Sequence, residues 1–255
     1  MVEGDDGRGV TAAGPSAAPA IVFLHGTRLC RTAWTPQIAD LSDIYRVLAI
    51  DLPGHGALAD IPFTLATARE TVARVIEDHT PGRAVLVGLS LGGYVAMDVA
   101  AVRPDLVRGL VLSGATAEPT GSRALPYRGL AWLLGHVGGL PFDAVNSWFF
   151  RTRFPAAIAE PIVAGGFWPS GGAQALRALS GERFAERLAA YPGPTLIING
   201  TWDLPFRLSS RSFAHAARDA RRVRLAGAAH LANLDRPAAF DKAIRRFMTE
   251  LDGTP

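Results

Sequence analysis

One cysteine and one lysine, Cys30 and Lys242, stand in 255 residues, and these shortages narrow the options before any motif is considered. A lone thiol cannot close an internal disulfide, and no cysteine cluster exists to hold zinc. Cys30 itself says little about compartment. Positive charge comes from scattered arginines and the net charge is only +3, so there is no basic stripe of the kind that tracks nucleic acid. No run of 18 or more apolar residues suggests a membrane span. The opening, "MVEGDDGRGVTAAGPSAAPA", is acidic and rich in Gly, Ala and Pro, without the basic start and apolar centre of a secretory signal. The expectation is a cytoplasmic protein acting on a small molecule, with no nucleic-acid or membrane partner. Oligomeric state is not legible.

What is present describes a globular chain: 49% hydrophobic and 19% charged residues, long enough for one large α/β domain with an insertion. Short β-type runs recur, each ending in a Gly- or Asp-marked loop: "AIVFLHG" at 20–26, "YRVLAID" at 45–51, "RAVLVGLS" at 83–90, "VRGLVLSG" at 107–114, "TLIING" at 195–200 and "RVRLAG" at 222–227. Continuous apolar strands of this kind are covered on both faces. Residues 64–79, 91–102 and 237–251 have helical spacing. Strand–helix alternation predicts a mostly parallel sheet with helices on both faces, whose post-strand loops gather at one edge.

Residues 115–190 break the rhythm. They have no clear strand, many aromatics and repeated Gly and Pro, which predicts a helical lid inserted between two strands. The division expected is therefore a flexible N-terminal segment at 1–18, a core at 19–114 and 191–255, and the lid at 115–190.

The densest signal is "GLSLGG" at 88–93, between an apolar strand and an apolar helix. A G-x-S-x-G at such a junction needs small flanking residues, because the turn leaves no room beside the serine. The turn exposes the Ser90 hydroxyl and aims the N–H of Leu91, at a helix N-terminus, toward developing negative charge. A serine hydroxyl needs a base, and the base needs an orienting acid. Asp203 in "TLIINGTWD" and His230 in "VRLAGAAHLANLDRP" each follow a later strand on the same predicted edge. Glycine-rich turns with an idle serine also exist; the strand before and the helix after weigh against that reading.

Together these motifs resemble the α/β-hydrolase superfamily over nearly the whole chain. "FLHGT" resembles the early His-Gly loop, where the resemblance makes Thr27 the second oxyanion donor beside Leu91. "DLPGHG" at 51–56 is similar to the loop after the next strand, "GTWD" to the acid loop and "GAAHLANLDRPAAF" to the histidine loop. Two departures stand out. Few residues precede "IVFLHG", which predicts a shortened sheet edge, and the proline of "DLPFR" falls earlier than in many relatives.

Single residues admit competing readings. Glu118 is either an alternative acid or a charge at the lid boundary, and Asp203 fits its motif better. His25 and His55 are either metal ligands, spare bases or ties within their loops; the resemblance implies the last, a mainly structural role, and no His/Asp/Glu cluster has convincing metal-ligand spacing. Arg28 either grips a substrate carboxylate, points to solvent or pairs with a lid acid. Cys30 is expected as a small buried filler rather than a second nucleophile. Among the lid aromatics, Trp132, Trp148 and Trp168 are expected to face substrate. Trp202 is expected in local packing.

The resemblance implies acyl transfer to water without metal or other cofactor: Ser90 as nucleophile, His230 as base, Asp203 orienting it, and an ester, thioester or lactone of a medium-sized hydrophobic molecule as substrate. Carbon–carbon bond hydrolases, enol-lactonases and haloperoxidase-like enzymes share this triad. Thr27 stands where the last group often has tryptophan, and Ser90 argues against dehalogenases and epoxide hydrolases, which use aspartate. A non-turnover small-molecule sensor on the same fold is the alternative of a different class.

Overall fold

A computed structural model describes residues 2–5, by backbone alone, and residues 9–253. In chain order the elements are β1 (Val2–Asp5), β2 (Val10–Ala13), β3 (Ala20–Leu24), α1 (Thr35–Leu41), β4 (Arg46–Ile50), α2 (Leu65–His79), β5 (Ala84–Leu89), α3 (Leu91–Val102) and β6 (Val107–Ser113). Five helices follow: α4 (Ala124–His136), α5 (Leu140–Arg153), α6 (Ala156–Ala164), α7 (Pro169–Leu179) and α8 (Phe184–Ala190). The chain then closes with β7 (Pro194–Gly200), α9 (Leu204–Ala216), β8 (Asp219–Leu225), α10 (Ala232–Asp235) and α11 (Pro237–Asp252).

The strands form one eight-stranded sheet in the order β1-β2-β4-β3-β5-β6-β7-β8. β1 and β2 run antiparallel to their neighbours and the rest pair in parallel. Alternation along each strand sends side chains to two cores. On β3, Ala20, Val22 and Leu24 pack with α2 and α3 on one face. Ile21 and Phe23 pack with Trp34 and Phe240 on the other, the Phe23 and Trp34 rings lying 4.7 Å apart. Burial on both faces is why these strands are apolar throughout rather than alternating.

Four expectations need correction. The expected flexible segment 1–18 contains two strands, and the sheet edge is not shortened: Val10–Ala13 pairs with β4 in register from Val10–Ile50 to Ala13–Val47, because Val10, Ala12 and Ala13 have apolar surface to bury. Residues 1 and 6–8 of that segment lie outside the described residues. β8 is not covered on both faces; it is the far edge and exposes a run of arginines, the charged edge that discourages pairing with another sheet. Finally, α8 ends the expected lid in sequence but belongs to the core layer, with Phe184 and Leu188 fully buried against α3 and the Phe184 ring 4.6 Å from Tyr94. No helix among the described residues is long and apolar enough to cross a membrane.

Candidate active site

The carboxyl ends of β3, β5, β6, β7 and β8 carry the loops that build the site, as parallel topology requires. At the end of β5 the chain reverses into α3 with Ser90 at φ 52 and ψ −114. This left-handed backbone is costly for a residue with a side chain. Neighbours enforce it: the Ser90 N–H donates to the Ser113 carbonyl on β6 at 2.7 Å. Around it a Cβ on Gly88 would lie 2.3 Å from Gly93 N, and one on Gly92 would lie 2.0 Å from the Leu24 carbonyl oxygen. The glycines are therefore clearance for strand, turn and helix to meet. Leu91 opens α3, where the first N–H groups have no intrahelical acceptor.

After β7, Asp203 immediately precedes α9 and is buried, 5% exposed. The early proline, Pro205, sits in the first turn of α9, where a missing N–H breaks no helical bond. After β8, His230 places Nδ1 at 3.1 Å from both carboxylate oxygens of Asp203. This assigns the Nδ1 proton to that bond and leaves Nε2 unengaged. Gly114, at the end of β6 with φ 59, leaves the space they occupy: a Cβ there would fall 2.8 Å from His230 Cε1. Glu118 is not the partner of His230; its Oε2 accepts from the Ala185 N–H at 3.1 Å.

The His-Gly loop is tied from beneath. His25 Nε2 accepts from the Leu52 N–H at 2.9 Å and Nδ1 bonds the Gly26 carbonyl at 2.9 Å. Burial drives the His25 pKa down to about 4 and that of His55 to about 3, so both are neutral braces. Asp51 accepts from the N–H groups of Arg31 and Ala57, each at 2.8 Å, and pairs with the Arg31 guanidinium. Cys30 is buried with Sγ bonded to Thr32 and the Gly165 carbonyl, and desolvation raises its thiol pKa, the state of an inert filler. Among the described residues no group of His, Cys, Asp or Glu side chains could hold a metal ion.

Between these loops and the lid lies a cavity of about 720 Å³, lined by Thr27, Arg28, Ser90, Leu91 and His230 at its floor. Its walls are mostly apolar. Neither the Thr27 nor the Leu91 N–H enters a described hydrogen bond. The lid contributes Tyr127, Leu130 and Leu134 from α4 and Phe150 from α5. Helix geometry therefore corrects the expectation for two tryptophans: Trp132 lies two residues from both Leu130 and Leu134, and Trp148 two from Phe150, so each faces outward. They are 63% and 67% exposed. Trp168 does not line the cavity either; its indole N–H donates to the Gly165 carbonyl. Trp202 is 69% exposed rather than packed.

Sequence reasoning missed two aromatic contributions. Phe206 packs its ring 4.9 Å from the His230 imidazole and lines the cavity. Tyr94, on the α3 turn after Ser90, shares a 2.7 Å hydrogen bond with Tyr127 of the lid. The i+4 position of Tyr94 relative to Ser90 was available as a signal; nothing in the sequence paired it with Tyr127.

An eight-stranded, mostly parallel sheet with a serine elbow, a His–Asp pair and a helical insertion over one cavity defines a class. Its family model, the alpha/beta hydrolase family, matches residues 21–243, and the chain belongs to that family. The 3-oxoadipate enol-lactonase 1 of Acinetobacter baylyi is 26% identical over 93% of this chain and 91% of its own length. An esterase of Mycobacterium tuberculosis is 41% identical over 39% of this chain and 34% of its own. Among solved structures, a thermophilic esterase of Thermogutta terrifontis with malate bound has TM-score 0.78 and 25% identity, over 95% of this chain and 93% of that one.

Proposed function

We propose that this protein is a serine hydrolase that cleaves an ester or lactone of a small molecule through an acyl-enzyme. The observation that carries the proposal is the His230–Asp203 pair, with Nδ1 held by both oxygens of a buried carboxylate, on the same cavity as a serine in a left-handed turn. The relatives named as enol-lactonase and esterases support the substrate class.

In this reading Ser90 Oγ attacks the acyl carbon as its proton passes to His230 Nε2. The resulting imidazolium is stabilised by Asp203, and the oxyanion by the N–H groups of Thr27 and Leu91. Collapse of the tetrahedral adduct breaks the bond to the leaving oxygen, which takes the proton from Nε2. Water then gives a proton to Nε2 as it attacks the acyl carbon, and a second collapse restores the serine and releases the acid. The mechanism uses His230 as the base that takes the Ser90 proton. Tyr127, Leu130, Leu134 and Phe150 surround the organic part of the substrate and exclude water.

A serine-directed fluorophosphonate tests the assignment. Labelling of Ser90, and loss of activated-ester hydrolysis in Ser90→Ala, are expected. A folded protein whose Ser90 stays unlabelled overturns it; labelling without turnover of any ester, thioester or lactone favours a sensor instead.

A further inference from the structure

Arg28 lines the cavity beside Thr27 and is half-buried. Among the described residues nothing answers its charge: no ion pair or hydrogen bond engages the guanidinium. Burial lowers its pKa, and no nearby carboxylate offsets the effect. Glu118 is the one acid on the cavity wall, and its Oε2 is committed to the Ala185 N–H. An arginine stays protonated under these conditions. A desolvated guanidinium without an anion is an unfavourable arrangement that a ligand carboxylate relieves.

The backbone points the same way. Among the described residues only Arg28, at φ 62, and Ser90, at φ 52, are non-glycine residues with positive φ, and both line this cavity. Strain of this type persists where surrounding structure enforces it and collects at functional sites. For Arg28 the lid supplies the enforcement. The Trp168 N–H donates to the Arg28 carbonyl at 2.9 Å, and α7 lies so close that a Cβ on Gly172 would come within 2.9 Å of Thr27 Cγ2 and 3.4 Å of Arg28 N. The lid thus holds Arg28, whose charge has no partner among the described residues, against a mostly apolar wall.

We propose that Arg28 seats a carboxylate of the substrate, so that the preferred substrates are esters or lactones with an apolar body and a free carboxylate beside the scissile group. The scissile group rests on the hydrolase reading; the carboxylate seat does not. A planar guanidinium can meet both carboxylate oxygens, and its position next to the Thr27 N–H sets the acyl carbon relative to Ser90.

Calorimetric titration with 4-phenylbutyrate and its neutral isostere 4-phenylbutyramide tests the seat without chemistry. The wild-type protein is expected to bind the acid roughly 10- to 100-fold more tightly, the range for one charge-assisted hydrogen-bonded contact. Arg28→Asn is expected to erase the preference and Arg28→Lys to keep part of it; asparagine tolerates a left-handed backbone. If Arg28→Asn does not fold, Arg28→Gly accepts the same φ and serves instead. Equal affinities in the wild-type protein, or no binding of the acid, overturn the proposal. So does a preference that survives removal of the guanidinium, which would put the carboxylate elsewhere on the lining, on the Thr27 and Leu91 N–H groups or on Arg123. Because binding needs no turnover, an unreactive Ser90 with an intact, Arg28-dependent preference would defeat the hydrolase reading alone.

Discussion

Replacing Gly114 with alanine adds one methyl group at the end of β6, and the site leaves no room for it. The new Cβ would lie 2.8 Å from His230 Cε1, 2.9 Å from Nδ1 and 3.2 Å from Asp203 Oδ2. Carbon atoms in ordinary contact sit ~3.5–4.0 Å apart, so the imidazole must retreat by roughly 0.7 Å or more. Displacements of about 1 Å cost on the order of 100-fold in rate, which sets an expected loss of roughly 10- to 100-fold in kcat/KM. The backbone adds a separate penalty, because φ is 59 at this position. An L-residue there costs ~1–2 kcal/mol, a fall of roughly 2–8 °C in Tm for a domain of this size. Gly121→Ala separates the two effects: its φ is 55, yet its Cβ would meet nothing within 4 Å. Both variants should lose similar stability in thermal melts, while only Gly114→Ala loses hydrolysis of an activated ester and is labelled slowly by a fluorophosphonate. A Gly114→Ala protein with wild-type kcat/KM, or an equal activity loss in both variants, would refute the claim that the glycine exists to clear the His–Asp pair.

Asp241 is buried with one oxygen unpartnered, and desolvation pushes its pKa up from 3.8 to about 7. The folded chain keeps a proton that the unfolded chain releases, so the stability this group contributes is full below pH 3.8 and is lost as pH rises through about 7. Asp241→Asn should therefore match the wild-type Tm at acid pH and exceed it at alkaline pH; parallel Tm–pH curves would contradict the assignment. Trp132→Ala and Trp148→Ala, on the outer face of the lid, should leave kcat/KM for an activated ester unchanged. Phe206→Ala should lower it, since its ring lies 4.9 Å from the His230 imidazole; the reverse pattern would return the two tryptophans to the substrate's surroundings.

The fold was legible where burial imposes a pattern. Strands covered on both faces are continuous apolar runs, so β3 through β7 stand close to where hydrophobicity puts them, and α3 starts and ends with the expected residues. Legibility failed at both sheet edges. "RVRLAG" hides a strand that begins at Asp219, because an edge exposed to water needs few apolar side chains. Val10–Ala13 is too short and too small in its side chains to stand out from a Gly/Ala-rich surrounding.

Sequence by itself marked the residues proposed to carry the chemistry: each motif is local, and its glycines, serine, acid and histidine belong to the geometry of one turn or one post-strand loop. Parallel topology then fixes which sheet edge they share. Only the tertiary structure decided which lid side chains meet the cavity, because a helix presents Leu130 and Leu134 inward and Trp132 outward with no difference in composition to mark them. The same holds for Arg28. The sequence leans toward solvent or a lid acid over a substrate carboxylate, and only the packing of α7 and the absence of an acidic partner among the described residues place it on the cavity wall with its charge unanswered.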